Sequence, residues 1–112
     1  MLKKVKLNTL KRQYELLQME DNERICDYFT RLLITVNQMQ ECGEKFKDQD
    51  LVEKVMRTLT PRFDGRVVVI EEARDLFEMK IEQLQASLEE HELMMNERSP
   101  IKLQDQALYA SK

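Results

Sequence analysis

The chain has 112 residues, 42% hydrophobic and 35% charged, with a formal net charge of −3 at pH 7. That length supports one domain with a modest core and not two. The charge excludes a polycation built to coat nucleic acid, and no apolar run approaches the roughly 20 residues that span a bilayer.

Only two glycines and two prolines interrupt the chain, so long helices joined by short loops are expected. The first helix should run from about Leu2 to Met19, with Leu2, Val5, Leu10, Tyr14 and Leu17 along one stripe. The polar cluster Glu20-Asp21-Asn22-Glu23 then breaks it, and Asn22 is the expected N-cap of the next helix. Helix two should span Glu23 to Gln40. Its face of Ile25, Tyr28, Phe29, Leu32, Leu33, Val36 and Met39 is the strongest amphipathic pattern in the chain. Gly43 is its expected stop, because glycine tolerates the positive φ that follows many helix ends.

Helix three should start near Asp48, the expected N-cap, and carry Leu51, Val52, Val55, Met56 and Leu59 inward. Thr60-Pro61 ends it, and Pro61 suits the first turn of a fourth helix reaching about Glu72. Within that helix, Val67 to Ile70 is the one strand candidate, but it has no partner strand elsewhere in the sequence. Residues 75–79 read as a loop. A fifth helix should span Ile81 to about Glu97, with Ile81, Leu84, Leu88 and Leu93 inward. The segment 98–112 reads as a linker or tail, leaving residues 1–97 as the folded unit.

Charge is unevenly distributed. Lys3, Lys4, Lys6, Lys11 and Arg12 face no acid within residues 1–12. Residues 71–97 carry Glu71, Glu72, Asp75, Glu78, Glu82, Glu89, Glu90, Glu92 and Glu97 against Arg74 and Lys80. Such runs are usually solvated helix faces, and they can also orient a partner or a neighbouring copy.

Catalytic chemistry is sparse. His91 is the only histidine, and its acidic surroundings late in a helix suggest an exposed surface position. Cys26 and Cys42 lack the spacing of a zinc site or a disulfide framework, and reduced thiols in a cytoplasmic protein are expected. No phosphate-cradling glycine loop, nucleophile motif or metal-binding cluster is legible. No cofactor, metal, membrane or small-molecule substrate is therefore expected. The methionines, among them Met39, Met56 and Met79, read mainly as gap-filling core residues.

One stretch goes beyond periodicity. Glu23-Arg24-Ile25-Cys26-Asp27-Tyr28-Phe29-Thr30-Arg31-Leu32 resembles the major homology region of retroviral and retrotransposon capsid proteins, through Glu23, Ile25, Asp27, Tyr28, Arg31 and Leu32. Met19-Glu20 stands where the retroviral motif has Gln-Gly, which favours an LTR retrotransposon over a retrovirus. The remainder resembles the Gag polypeptide of Copia-type elements, plant-like in detail. The matching pieces are residues 4–15, Ile34 to Gly43, Val52 to Leu59 with Pro61-Arg62-Phe63-Asp64, Val69 to Glu72, Asp75-Leu76, Ile81 to Leu84, Ser87-Leu88 and Gln106-Ala107-Leu108. Each piece is weak alone; their order and spacing together are specific. Lys80 departs from the family's Ser or Thr, so the start of helix five loses its expected cap.

The resemblance implies an all-α fold: a compact bundle of about five helices like the C-terminal lobe of a capsid domain. Residues 1–19 would form a leading helix, residues 23–97 the lobe and residues 98–112 the tail. It implies a structural, non-enzymatic protein that assembles with other Gag copies, and the six motif residues would hold the fold. In related capsids the helix after this motif often forms a dimer contact, which makes Glu53, Lys54 and Arg57 on helix three the candidate interface. The family's upstream helices and its CCHC knuckle are not seen, so a truncated copy is expected. RNA contact would then rest on Lys3, Lys4, Lys6, Lys11 and Arg12, weak and non-specific. The alternatives are a domesticated adaptor that binds a host protein, an inactive remnant and, from a different class, a small enzyme. Exposed Phe29 and Leu32, or a sheet through Val67–Ile70, would be incompatible with the capsid reading.

Overall fold

A computed structural model describes the backbone of residues 2–73 and 78–98. The described residues form five α-helices and no strand: α1 (Leu2–Leu16), α2 (Ile25–Glu41), α3 (Asp48–Thr58), α4 (Asp64–Ala73) and α5 (Ile81–Arg98). A 3-10 turn, Pro61–Phe63, leads into α4. Proline enters this turn at its first position, where no amide donor is needed. Thr60 before it is extended (ψ 159°), as a residue preceding proline prefers.

The core is built on α2. Ile25, Tyr28, Phe29, Leu32 and Val36 are buried, with Leu33 packed against them at the margin. From α3 come Leu51, Val52 and Val55; from the turn and α4, Phe63 and Ile70; from α5, Ile81, Leu84 and Leu88. Leu59 and Met56 pack at the edge of this cluster. Val67 to Ile70 is helical, with Ile70 inside and Val68 and Val69 exposed. The helix penalty of β-branched side chains is only a few tenths of a kcal/mol each, and the burial of Ile70 in the core offsets it.

Gly43 ends α2 as expected. It has φ +97°, its N–H donates to the Gln40 carbonyl, and the Glu44 N–H donates to the Met39 carbonyl, each at 3.0 Å. These two bonds form a Schellman closure, and the left-handed backbone is the reason glycine is favoured there.

Other helix boundaries differ from expectation. α1 stops at Leu16, not Met19, because the Met19 N–H donates to the Thr58 carbonyl at the end of α3 (3.0 Å) and its side chain is buried. Asn22 caps nothing in α2, which begins only at Ile25. The Ile25 N–H instead donates to Glu92 Oε2 of α5 (2.9 Å). Asp48 lies inside the first turn of α3, where the Asp50 carboxylate accepts the Lys47 N–H (3.0 Å). The Asp48 carboxylate accepts the Ile81 N–H at the start of α5 (3.3 Å), and Gln83 Oε1 accepts the Lys80 N–H (2.9 Å). Helix five is thus capped from another helix despite Lys80. Leu93, expected inside, is exposed, and Met95 packs on the core in its place. Along α1, Val5 is exposed although expected inside, Leu7 is half-buried and Leu10 is buried; the side chain of Leu2 lies outside the described residues. Of the expected loop 75–79, Glu78 and Met79 are described and Met79 is buried; of the expected tail 98–112, Arg98 still belongs to α5 and residues 99–112 lie outside the described residues.

The two borrowed caps give a direct expectation. Asp48→Ala should cost about 1 kcal/mol, the usual worth of an N-cap. Glu92→Ala should cost about 1–2 kcal/mol, since Glu92 also faces Arg62. Urea denaturation measures both; changes of only a few tenths would show that solvent caps these helices equally well.

Candidate functional site

The motif Glu23–Leu32 separates into three parts. Ile25, Tyr28 and Leu32 point into the core. Glu23 and Arg31 meet across the entrance to α2: Arg31 Nε donates to Glu23 Oε2 (2.6 Å) and Arg31 Nη2 to Glu23 Oε1 (2.7 Å). This two-pronged geometry matches the planar guanidinium to the carboxylate. Asp27 lies outside, exposed and 3.6 Å from Arg24.

Around this pair the connection between α1 and α2 is fastened on several sides. Arg31 Nη2 also donates to the Gln18 carbonyl (2.9 Å). Glu20 and Glu23 close the turn reciprocally: the Glu23 N–H donates to the Glu20 carbonyl and the Glu20 N–H to Glu23 Oε1, each at 3.0 Å. Arg62 Nη2 donates to the Glu23 carbonyl (2.6 Å) and lies 3.7 Å from Glu92 Oε2, the oxygen that caps α2. The Tyr28 hydroxyl bonds Thr58 Oγ1. Because Thr58 Oγ1 donates to the Lys54 carbonyl (2.6 Å), Tyr28 is the donor of that bond. The Arg31 guanidinium carbon lies 5.5 Å from the Tyr28 ring centre.

These contacts set the protonation behaviour. The Arg31 hydrogen bonds, against some opposing desolvation, hold the Glu23 carboxyl below its ordinary range. Glu23 in turn raises Arg31. Burial pushes the Tyr28 hydroxyl up, with Thr58 opposing.

A second feature lies between α1 and α3, a groove of roughly 350 Å³. Tyr14 and Phe46 form its aromatic floor, ring centres 5.4 Å apart, and Glu53 and Arg57 stand at its rim. Lys54 is not among the exposed positions expected of an interface. It is buried, its Nζ donates to the Glu15 carbonyl (3.3 Å) and sits 5.0 Å from the Tyr14 ring centre. Burial, and secondarily Arg57, lowers its pKa. Lys54 therefore ties α3 to α1, because the α1 helix covers it.

Of the basic residues proposed for RNA, Lys4, Lys6 and Arg12 are exposed, while Lys11 pairs with Glu44 (3.3 Å). The Lys3 side chain lies outside the described residues. His91 is half-buried, its ring centre 5.8 Å from that of Phe63, instead of standing free on the surface. Among the described residues no group of three or more His, Cys, Asp or Glu could hold a metal ion, and no helix is long and apolar enough to cross a membrane. Cys26 and Cys42 are free and half-buried.

Sequence reasoning missed Arg62, Thr58 and Glu92. Glu92 was findable: continuing the inward series Leu84, Leu88 by four residues places it on the buried face. Arg62 and Thr58 carry no such local signal.

Fold and site together define an all-helical domain whose motif side chains fasten its own segments to one another. A family model described as gag-polypeptide of LTR copia-type matches residues 2–100. The chain belongs to that family, the Gag polypeptides of Copia-type LTR retrotransposons. Comparison with curated proteins and with solved structures gave no match.

Proposed function

We propose that this chain is a structural assembly module that joins other copies of Gag in the cytoplasm, without catalysis, cofactor or small-molecule substrate. Membership of the Copia-type Gag family over residues 2–100 carries the reading. Glu23, Ile25, Asp27, Tyr28, Arg31 and Leu32 act in it as structural residues. The packing of Ile25, Tyr28 and Leu32 and the Glu23–Arg31 pair support this, since the first three seat α2 in the core and the pair, with the Arg31–Gln18 bond, holds the loop between α1 and α2 against α2. Asp27, exposed beside Arg24, contributes least.

Glu53 and Arg57 are the self-association contact on α3. Both are exposed, carry opposite charges, and stand one helical turn apart. Lys4, Lys6 and Arg12 add weak, salt-sensitive contact to RNA.

Sedimentation velocity over a wide concentration range tests the central claim. Species larger than a monomer should grow with concentration. Glu53→Arg or Arg57→Glu alone should weaken the smallest oligomer by about tenfold, and the double reversal should recover most of it. A chain that stays monomeric at every concentration would overturn the assembly reading.

A further inference from the structure

α1 and α5 each leave one face uncovered, and the two faces share a spacing. On α1, Val5, Thr9, Arg12 and Leu16 are all exposed and stand at i, i+4, i+7 and i+11. On α5, Glu82, Ala86, Glu89 and Leu93 are exposed at the same intervals. This spacing of four, three and four residues is the seam by which paired helices interlock. Both seams end in large uncovered aliphatic residues: Val5 is 64% exposed, Leu16 74% and Leu93 61%.

The seams are opposite in charge. Arg12 sits within the α1 seam with Lys4 and Lys6 on its flanks. The α5 seam has Glu82 and Glu89, with Glu90 beside them. None of these six takes part in an ion pair among the described residues. Thr9 does not bring an unmatched hydroxyl, since its Oγ1 donates to the Val5 carbonyl (3.2 Å).

We infer that the outer face of α1 docks in parallel on the outer face of α5 of a second copy. In that register Leu16 meets Leu93, Arg12 meets Glu89, and the small Thr9 meets the small Ala86. Val5 lies along the stem of Glu82, whose carboxylate reaches Lys4 or Lys6. An antiparallel arrangement would bring Val5 against Leu93 but set Leu16, the most exposed of the three aliphatic side chains, against Glu82 and Arg12 against Ala86, losing the charge match. A polyanion on α1 competes for the same Lys4, Lys6 and Arg12 but leaves Val5 and Leu16 in water and the acidic α5 seam unmatched, so RNA takes only those α1 faces that no second copy covers.

The contact uses two different surfaces, so each copy still offers one free face after pairing. Such a heterologous contact propagates into rings or chains. A seam of this length is about 16 Å, too short for the roughly 1,200 Å² of a stable independent interface. It is therefore weak singly and effective when repeated. This inference rests on the assembly reading and gives it a second, distinct contact beside Glu53 and Arg57.

The test uses the full chain. Arg12→Glu and Glu89→Arg should each weaken growth beyond the α3-mediated dimer by about tenfold or more, since like charges then face each other. Combining both reversals in one chain should restore it. Mixing Thr9→Cys chains with Ala86→Cys chains under mild oxidation should give a covalent dimer whose linked peptides contain positions 9 and 86. Should wild-type chains assemble and both single variants assemble equally well, this contact is overturned while the assembly reading survives. A wild-type chain that never associates overturns both. If Arg12→Glu lowers only retention of single-stranded RNA and Glu89→Arg changes nothing, the α1 face is a polyanion site and the inference fails.

Discussion

Phe29→Ala should lower the free energy of unfolding by about 3–5 kcal/mol, the largest single loss expected in this chain. Phe29 is almost wholly buried in the second turn of α2 and meets Tyr28 edge to face, ring centres 6.4 Å apart. Truncation removes the transfer free energy of the ring and leaves a cavity. Neighbours from several helices share the core with it, among them Val52, Val55, Leu84 and Leu88. They cannot all relax into the space without breaking their own contacts. Domains of this size hold only about 5–15 kcal/mol in total, so the variant should lie near the unfolding threshold. The check is the denaturant midpoint followed by far-ultraviolet circular dichroism. A loss below about 1 kcal/mol would mean that Phe29 is not where the core is concentrated.

Arg31→Met should cost about 2–4 kcal/mol, because it leaves a mostly buried carboxylate without its partner. The Glu23 side chain is only 9% exposed, and Arg31 supplies both of its shortest hydrogen bonds. The same change releases the Gln18 carbonyl and so loosens the connection from α1. Glu23→Gln should cost less, since the amide still accepts one bond from Arg31. The double variant should be less destabilised than the sum of the two, which is the sign of a coupled pair.

The pair also fixes a pH dependence. Glu23 has a folded-state pKa below its unfolded value, chiefly through its Arg31 bonds. Its contribution is therefore fully present above the ordinary glutamate range and is lost as pH falls through the lowered folded value. Stability of the wild-type chain should fall on acidification more steeply than that of Glu23→Gln. Arg31 stays charged throughout, so it adds no slope of its own. Identical acid limbs for the two proteins would remove Glu23 from this role.

The two expectations differ in how early they were legible. Phe29 follows from α2 alone, since its inward series repeats at three and four residues and needs no knowledge of neighbours. The Glu23–Arg31 pair spans eight residues across a turn, and periodicity could not have joined them. Only the resemblance of residues 23–32 to a known motif singled both out, and the reason for their pairing came from the position of the α1–α2 loop. The candidate interface shows the same division. Helical spacing places Glu53 and Arg57 one turn apart, but whether Lys54 is exposed depends on α1 lying across it.

Residue order by itself determined the helical class, the inward faces of α2 and α3, the stop at Gly43 and the proline-initiated turn before α4. These rest on local physics: side-chain period, backbone freedom at one glycine, and the missing amide of proline. Tertiary structure alone decided the end of α1 at Leu16, the burial of Lys54 and the exposure of Leu93. It also decided the caps supplied to α2 by Glu92 and to α5 by Asp48. Each of these depends on which helix lies opposite, and an unsatisfied amide or carbonyl takes its partner from whatever packing brings within reach.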